Sequence, residues 1–460
     1  MMLGMQQDMT KGPVTGHLIR FTIPVYLGNL FQQFYNMTDT AIVGHALGSD
    51  ALAAVGATGT IVFLLNGFAM GLSSGFAILT SQRYGAGDAE GVRRSVASGI
   101  LLSLIASIVL SVGGTLLMKP VLSWMHTPLD IMDLSYSYVS VISAGLWTTV
   151  FYNLFSSLLR AVGNSKVPLY FLVGGTVLNI ILDLFAIIGL HMGVAGAAWA
   201  TIVSQAVTAF LALLYLIKKV PSLVPRRTEW RVKKEHAAFQ MQMGLPMALQ
   251  FGITASGTMI MQSAINLFGS TAVASYTAAN RVQNMFTQAM PAIGTTMATF
   301  CGQNWGARTL KRIKEGFIRS TELMLVYSVL GMILLPLLLP WMMQVFFSKG
   351  TDMEPLLVWA RTYIKISVLF FIPLSLIFIC RNSLQGCGYA KLAMCSGVVE
   401  LVARWIVAVL AMQKHSYLLA VACDPAAWLT AGVYGVIVCR IVFHKLEHSY
   451  LYEHSEKEEA

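Results

Sequence analysis

A chain of 460 residues that is 56% hydrophobic and only 11% charged is far too apolar for a soluble domain, where charged residues make up about a quarter, and it reads as a polytopic membrane protein. The formal net charge is +10, but the basic residues sit in short connections between apolar runs, which marks topology and excludes a nucleic-acid partner. The six cysteines, Cys301, Cys380, Cys387, Cys395, Cys423 and Cys439, all lie in the second half without CxxC spacing; they are expected as buried thiols rather than disulfides or metal ligands.

Residues 1–13 are polar and show no signal-peptide pattern, so they are expected to remain in the mature protein. Apolar runs of spanning length follow at about 15–42, 51–79, 92–118, 131–158, 167–189, 193–217, 240–267, 273–300, 316–341, 357–380, 392–412 and 417–443. The expected fold is therefore all-α and polytopic, with twelve transmembrane helices. An even count places both termini on one side. That side holds 24 of the 31 Lys and Arg, which predicts cytoplasmic termini in the cell inner membrane. Lys119, Lys349, Arg361, Lys365 and Lys414 fall on the opposite side, and Arg281 and Arg404 fall within spans.

The first run carries Asp39, flanked by Tyr35, Asn36, Thr38 and Thr40. A charge in hydrocarbon costs roughly 2.5–3.5 kcal/mol or more, so such a residue marks function by default. In the fifth run, Asn179 and Asp183 are four apart and share a helical face; the sixth adds Thr201. Topology puts all of these at one depth in the outer half of the membrane. Two carboxylates meeting in a low dielectric hold a proton or a cation between them, which suits an ion-coupling site for H⁺ or Na⁺.

The longest basic connection, about 218–239, separates six spans from six. The expected domains are an N-terminal lobe (1–217), this linker (218–239), a C-terminal lobe (240–446) and a cytoplasmic tail (447–460). The halves repeat each other: Pro24 matches Pro246, Gly48-Ser49 matches Gly269-Ser270, and Gln82-Arg83-Tyr84-Gly85-Ala86 matches Gln303-Asn304-Trp305-Gly306-Ala307, at an offset of 221 or 222. Tyr138 matches Tyr363, and Leu159-Arg160-Ala161-Val162-Gly163 matches Leu384-Gln385-Gly386-Cys387-Gly388, at 225. Because each half begins on the same side, the two six-helix lobes are related by a parallel internal repeat, an architecture of transporters that rock two bundles about a cavity. The repeat is asymmetric at the acids: Asp39 corresponds to Ile260 or Met261, and Asp183 to Ala408.

Other intramembrane polar residues carry weaker signals. Glu400 and Arg404, at i,i+4, are expected to form a structural ion pair. Asp424 precedes Pro425 and faces either the cavity or a local helix break; Asn153, Gln250 and Gln262 are candidates for the substrate cavity or for helix-to-helix contacts. Arg281 lies near a helix end, where its side chain snorkels. No metal-ligand spacing, P-loop or dinucleotide motif is present, so neither a cofactor nor an enzymatic activity is expected.

The motifs from Pro24 to Gly56, Gln82 to Gly87, Leu159 to Asn164 and Asn179 to Asp183 resemble the multidrug and toxic compound extrusion (MATE) transporters over essentially the whole chain. The resemblance implies export of organic cations or amphipathic drugs in exchange for inward H⁺ or Na⁺; the chain is expected to work as a monomer among membrane lipids. It further implies that Tyr35, Asp39, Asn179, Asp183 and Thr201 form the ion-coupling constellation of the DinF-like branch. The NorM-type branch has acids in spans seven and ten, where this chain has Leu249-Gln250-Phe251-Gly252-Ile253-Thr254 and Pro373-Leu374-Ser375. The alternative function is a flippase for a lipid-linked precursor, which requires a cavity lined with Arg and Lys; a membrane-embedded enzyme is a third reading, without a supporting constellation.

Overall fold

The computed structural model describes residues 7–125, 127–347 and 352–458. Residues 1–6, Lys349 of the expected outer loops and the last two residues of the expected tail lie outside the described residues. Among the described residues, every regular element is helical: α1 (Val14–Leu47), α2 (Ser49–Gly85), α3 (Ala89–Trp124), α4 (Leu129–Ala144), α5 (Leu146–Ala161), α6 (Lys166–Leu184), α7 (Gly193–Lys219), α8 (Lys234–Asn266), α9 (Ser270–Thr287), α10 (Ala289–Gly306), α11 (Leu310–Met343), α12 (Glu354–Val368), α13 (Phe371–Gly386), α14 (Ala390–Gln413), α15 (Tyr417–Val421) and α16 (Cys423–Glu458).

Among the described residues, seven helices are long and apolar enough to cross a membrane, and nine spans result if each of two bent pairs counts as one: α4 with α5, bent by 45°, and α12 with α13, bent by 51°. The count of twelve is not reached by this measure. The helices that fall short, α1, α8, α9 and α10, carry polar residues such as Asp39, Gln250, Gln262, Asn280 and Gln303.

The helices sort into two compact units, one formed by residues 1–8 and 23–252 and the other by 9–22 and 253–460. Chain order and unit therefore differ at two places: the start of α1 groups with the second unit, and the first half of α8 with the first. In the second unit, Met9 is fully buried; its N–H donates to Gln303 Oε1 (3.0 Å), and its carbonyl accepts from Asn304 Nδ2 (3.1 Å) and from Arg312 (3.0 Å). The repeated Gln303-Asn304 motif thus anchors the N-terminal segment. In the first unit, Gln240 of α8 donates to the carbonyls of Phe76 and Ser95, each at 2.9 Å.

The contacts made by these exchanged segments also repeat. In the first unit, Gly75 of α2 lies against Gly244 of α8; a Cβ on Gly75 would come 2.3 Å from the Gly244 Cα. The repeat-related residues in the second unit, Thr296 and Thr22, share a hydrogen bond of 2.7 Å between their hydroxyls. Small residues let helix backbones approach closely where lipid supplies no hydrophobic drive.

The connection between α7 and α8 is pinned by Glu229, which is buried and accepts from Arg93 Nε at 2.8 and 2.9 Å and from the Arg226 N–H at 2.7 Å. Burial alone would raise the Glu229 pKa, but the Arg226 N–H and the Arg93 guanidinium outweigh it and hold the carboxyl below its ordinary value. A depressed carboxylate pKa stabilises the docked linker above the unfolded value, about 4.3, and that contribution is lost as pH falls through the lower folded value. Glu229→Gln is accordingly expected to speed tryptic cleavage beside Arg226 and Arg227 at neutral pH. An unchanged cleavage rate would show that the pair does not hold the linker.

Candidate functional site

Four helices of the first unit converge on the acids singled out in the sequence. Tyr35 and Asp39 sit four apart on α1, Asn179 and Asp183 four apart on α6, Thr201 on α7 and Tyr138 on α4. Asp183 has no solvent exposure and Asn179 has 1%. The Asp39 and Asp183 carboxyl groups are within hydrogen-bonding reach of each other. Thr201 Oγ1 links two helices to its own: it lies 3.3 Å from the Tyr35 hydroxyl and accepts from Asn179 Nδ2 at 3.5 Å. The structure therefore brings Tyr35, Asp39, Asn179, Asp183 and Thr201 together.

Tyr138, known in the sequence only as a repeat position matching Tyr363, lies near both acids. Its recurrence in both halves was the signal that marked it. Asn36 and Thr40, by contrast, are exposed, and the Thr40 hydroxyl donates to the Asn36 carbonyl of its own helix at 2.8 Å. Directly after Asp183, residues Phe185–Gly189 form a π-helical turn, a local widening that recurs at functional sites.

Two carboxyl groups in contact require a proton or a cation between them. The groups placed around this pair, two phenols, an amide and a hydroxyl, are neutral oxygen and nitrogen donors of the kind that suit H⁺ or a hard monovalent cation. Asp39 Oδ1 is buried without a hydrogen-bond partner among the described residues. A small cavity of about 50 Å³, lined by Gln32, Tyr35, Tyr152, Thr176, Gln205 and Thr208 together with Phe171, Leu172 and Gly175, adjoins the cluster through Tyr35 and has room for ordered water. A separate cavity of about 740 Å³ in the same unit is apolar, with Trp147, Phe151, Phe155, Phe210, Leu213 and Trp230 among its walls.

The residues expected to line a substrate cavity divide between the two units. Asn153 donates to the Thr149 carbonyl of its own helix at 2.8 Å, and Gln250 is buried; both lie in the first unit. Gln262 donates to Asn266 at 2.8 Å within α8 and belongs to the second unit with Asp424. Asp424 Oδ1 accepts from Arg404 Nε at 2.7 Å. Arg404 also reaches Glu400 at 3.5 Å, and Glu400 lies 3.9 Å from Arg381. The i,i+4 pair expected at Glu400 and Arg404 is thus part of a four-residue network that includes Asp424 and Arg381. Arg281 is exposed.

The MatE family model matches residues 24–185 and 246–410, covering both halves. The chain is 32% identical over 308 residues to the probable multidrug resistance protein YpnP of Bacillus subtilis, spanning 66% of this chain and 68% of that protein. It is 27% identical over 359 residues to the probable multidrug resistance protein YoeA of the same organism, spanning 76% and 77%. A multidrug resistance MATE-family transporter of the MOP superfamily, solved in an outward-facing conformation, superposes with a TM-score of 0.88 at 21% identity, over 97% of this chain and 99% of that one.

Proposed function

The chain belongs to the MatE family of multidrug efflux transporters, and on that premise we propose that it is a secondary antiporter exporting cationic or amphipathic organic compounds in exchange for inward H⁺ or Na⁺, coupled at Asp39 and Asp183. The observation that carries this reading is the meeting of two carboxyl groups inside the first unit. Without a bound ion, two carboxylates at this distance repel, which favours a separation of α1 from α6. A proton or Na⁺ bridging them draws the helices together, with Thr201 and Asn179 passing the change to α7.

An ion can shift a conformational equilibrium only by its differential affinity for the two states, and the reciprocal effect lowers drug affinity by the same factor. Ion entering from outside thus displaces drug, and the emptied acids favour drug taken up from the cytoplasm or inner leaflet. The charge asymmetry of the loops supports an inner-membrane protein with both termini cytoplasmic. A lipid-linked precursor would need free cationic groups for its pyrophosphate, whereas Arg404 is engaged by Asp424 and Glu400.

Everted membrane vesicles with pH and Na⁺ gradients imposed separately test the reading. One gradient alone is expected to drive accumulation of an ethidium-like dye. Equal accumulation with both gradients collapsed would overturn it.

A further inference from the structure

The second unit contains a counterpart of the carboxylate site, and its contents differ in a compensated way. The backbone fixes the correspondence. Gly163 and Gly388 both adopt positive φ (85° and 93°), as do His191 and His415 (52° and 45°). One residue more separates the first pair along the chain than the second. The first unit absorbs that extra residue in the π turn Phe185–Gly189, which the described α14 lacks. Up to the π turn the offset of 225 therefore holds, and Arg404 stands at the position of Asn179 and Ala408 at that of Asp183. Beyond it, Asp424 aligns with Ala200, beside Thr201. The offset of 222 that relates Pro24 to Pro246 puts Gly257 at the position of Tyr35.

The contacts follow this alignment to within one residue. Where the Asn179 amide meets the Thr201 hydroxyl in the first unit, the Arg404 guanidinium meets the Asp424 carboxylate in the second. Where Tyr35 fills space in the first, Gly257 leaves it open: a Cβ there would come 2.8 Å from an Arg404 guanidinium nitrogen. Volume moved from α1 to the longer side chain on α14. Tyr363, the counterpart of Tyr138, is fully buried and packs on Tyr276 with ring centroids 4.9 Å apart; both rings lie near Asp424, as Tyr138 lies near the first-unit acids. Glu400, Arg404 and Asp424 are 6%, 5% and 8% exposed, and with Arg381 they bring two guanidinium groups to two carboxylates. Among the described residues, Tyr276, Tyr363 and Cys423 also lie near Asp424, and none of them is a basic side chain.

We propose that Arg404 is a tethered cation that fills, in the second unit, the place taken in the first by an exchangeable ion, and so confines ion coupling to one site per molecule. The proposal rests on the coupling role assigned to Asp39 and Asp183. Removing a guanidinium from a buried network leaves its carboxylates uncompensated. With Arg404 gone, Glu400 and Asp424 must recruit a proton or a cation from solution.

The test uses full-length protein in nanodiscs in an Asp39→Asn/Asp183→Asn background, so that the first-unit acids contribute nothing. Arg404→Asn, the residue the repeat places at this position in the first unit, is expected to gain about one H⁺ by potentiometric titration, or one Na⁺ by radiolabel binding, per molecule. Arg404→Lys keeps a tethered charge and is expected to show no gain. Arg404→Gln, whose longer amide still donates to Asp424, is expected to match the Asn variant and serves if that one folds poorly. Folded Asn or Gln variants without added ion binding would overturn the proposal, as would an equal gain in the Lys variant. A gain here alongside failure of gradient-driven transport in the wild type would leave Arg404 as the tethered cation and remove only the coupling role of the first unit.

Discussion

Vesicles carrying Asp183→Asn are expected to lose gradient-driven efflux by tenfold or more, with folded transporter still present in the membrane. The substitution is isosteric and leaves an amide to hydrogen-bond Asp39, so the packing of α1 on α6 survives. What it removes is the capacity of the pair to load and unload. An Asn facing a carboxyl group resembles the protonated pair, and in the proposed cycle that is the state with lowered drug affinity. The variant should therefore bind drug weakly at every pH, whereas binding to wild type should tighten as the pair deprotonates. A tenfold change corresponds to about 1.4 kcal/mol of coupling, well within what bringing two charges together in a low dielectric supplies.

Asp39→Asn should behave alike, since the ion belongs to the pair and not to either residue. Wild-type efflux in either variant, at equal protein levels, would remove the site from the mechanism. Thr201→Val tests the periphery: it deletes one hydroxyl that links Tyr35 and Asn179, a loss of about 0.5–1.5 kcal/mol, and is expected to weaken coupling without abolishing it.

Gly75→Leu is expected to prevent accumulation of folded protein altogether. A Cβ at this position meets only main chain, 2.3 Å from the Gly244 Cα and 2.5 Å from its nitrogen. No rotamer change relieves such a contact, and the helices must separate. Overpacking with a few methylenes in a core that can adjust costs about 1–3 kcal/mol; here the neighbour is a helix backbone held by Gln240 through two hydrogen bonds, so the cost should exceed that range. The same helix supplies the control, because a Cβ on Gly59 meets nothing within 4 Å. Gly59→Ala should be neutral, or stabilising by up to about 1 kcal/mol through helix propensity. Thermal unfolding of detergent-purified variants, followed by size-exclusion chromatography, separates the two. Equal melting temperatures for Gly75→Ala and Gly59→Ala would show that the α2–α8 crossing is not the constraint described.

Composition and hydropathy by themselves determined that this is an all-helical membrane protein, because too few charged residues exist to solvate a globule and the apolar runs have the length of a bilayer. The internal repeat, read from Pro24, Gly48, Gln82 and Gly163 and their counterparts, was equally legible, since the turns at Gly48 and Gly269 (both φ 87°) and at Gly163 and Gly388 need glycine at positive φ. Asp39, Asn179, Asp183 and Thr201 could be named as a group because charge and amide in hydrocarbon are costly enough to stand out one at a time.

Tertiary structure alone decided what those residues touch. Tyr138 is marked in the sequence only as a repeat position, and its place near Asp39 and Asp183 emerges only in the folded first unit. Asp424 reads as facing either the cavity or a local helix break, and its pairing with Arg404, twenty positions away, appears only where the turn between α15 and α16 delivers it. The grouping of the start of α1 with the second unit and of the first half of α8 with the first also left no mark in hydropathy, because Thr22 with Thr296 and Gly244 with Gly75 are small residues whose meaning lies in the backbone distance they permit. Local sequence sets the cost of burying a group; which partner offsets that cost is fixed only when distant helices meet.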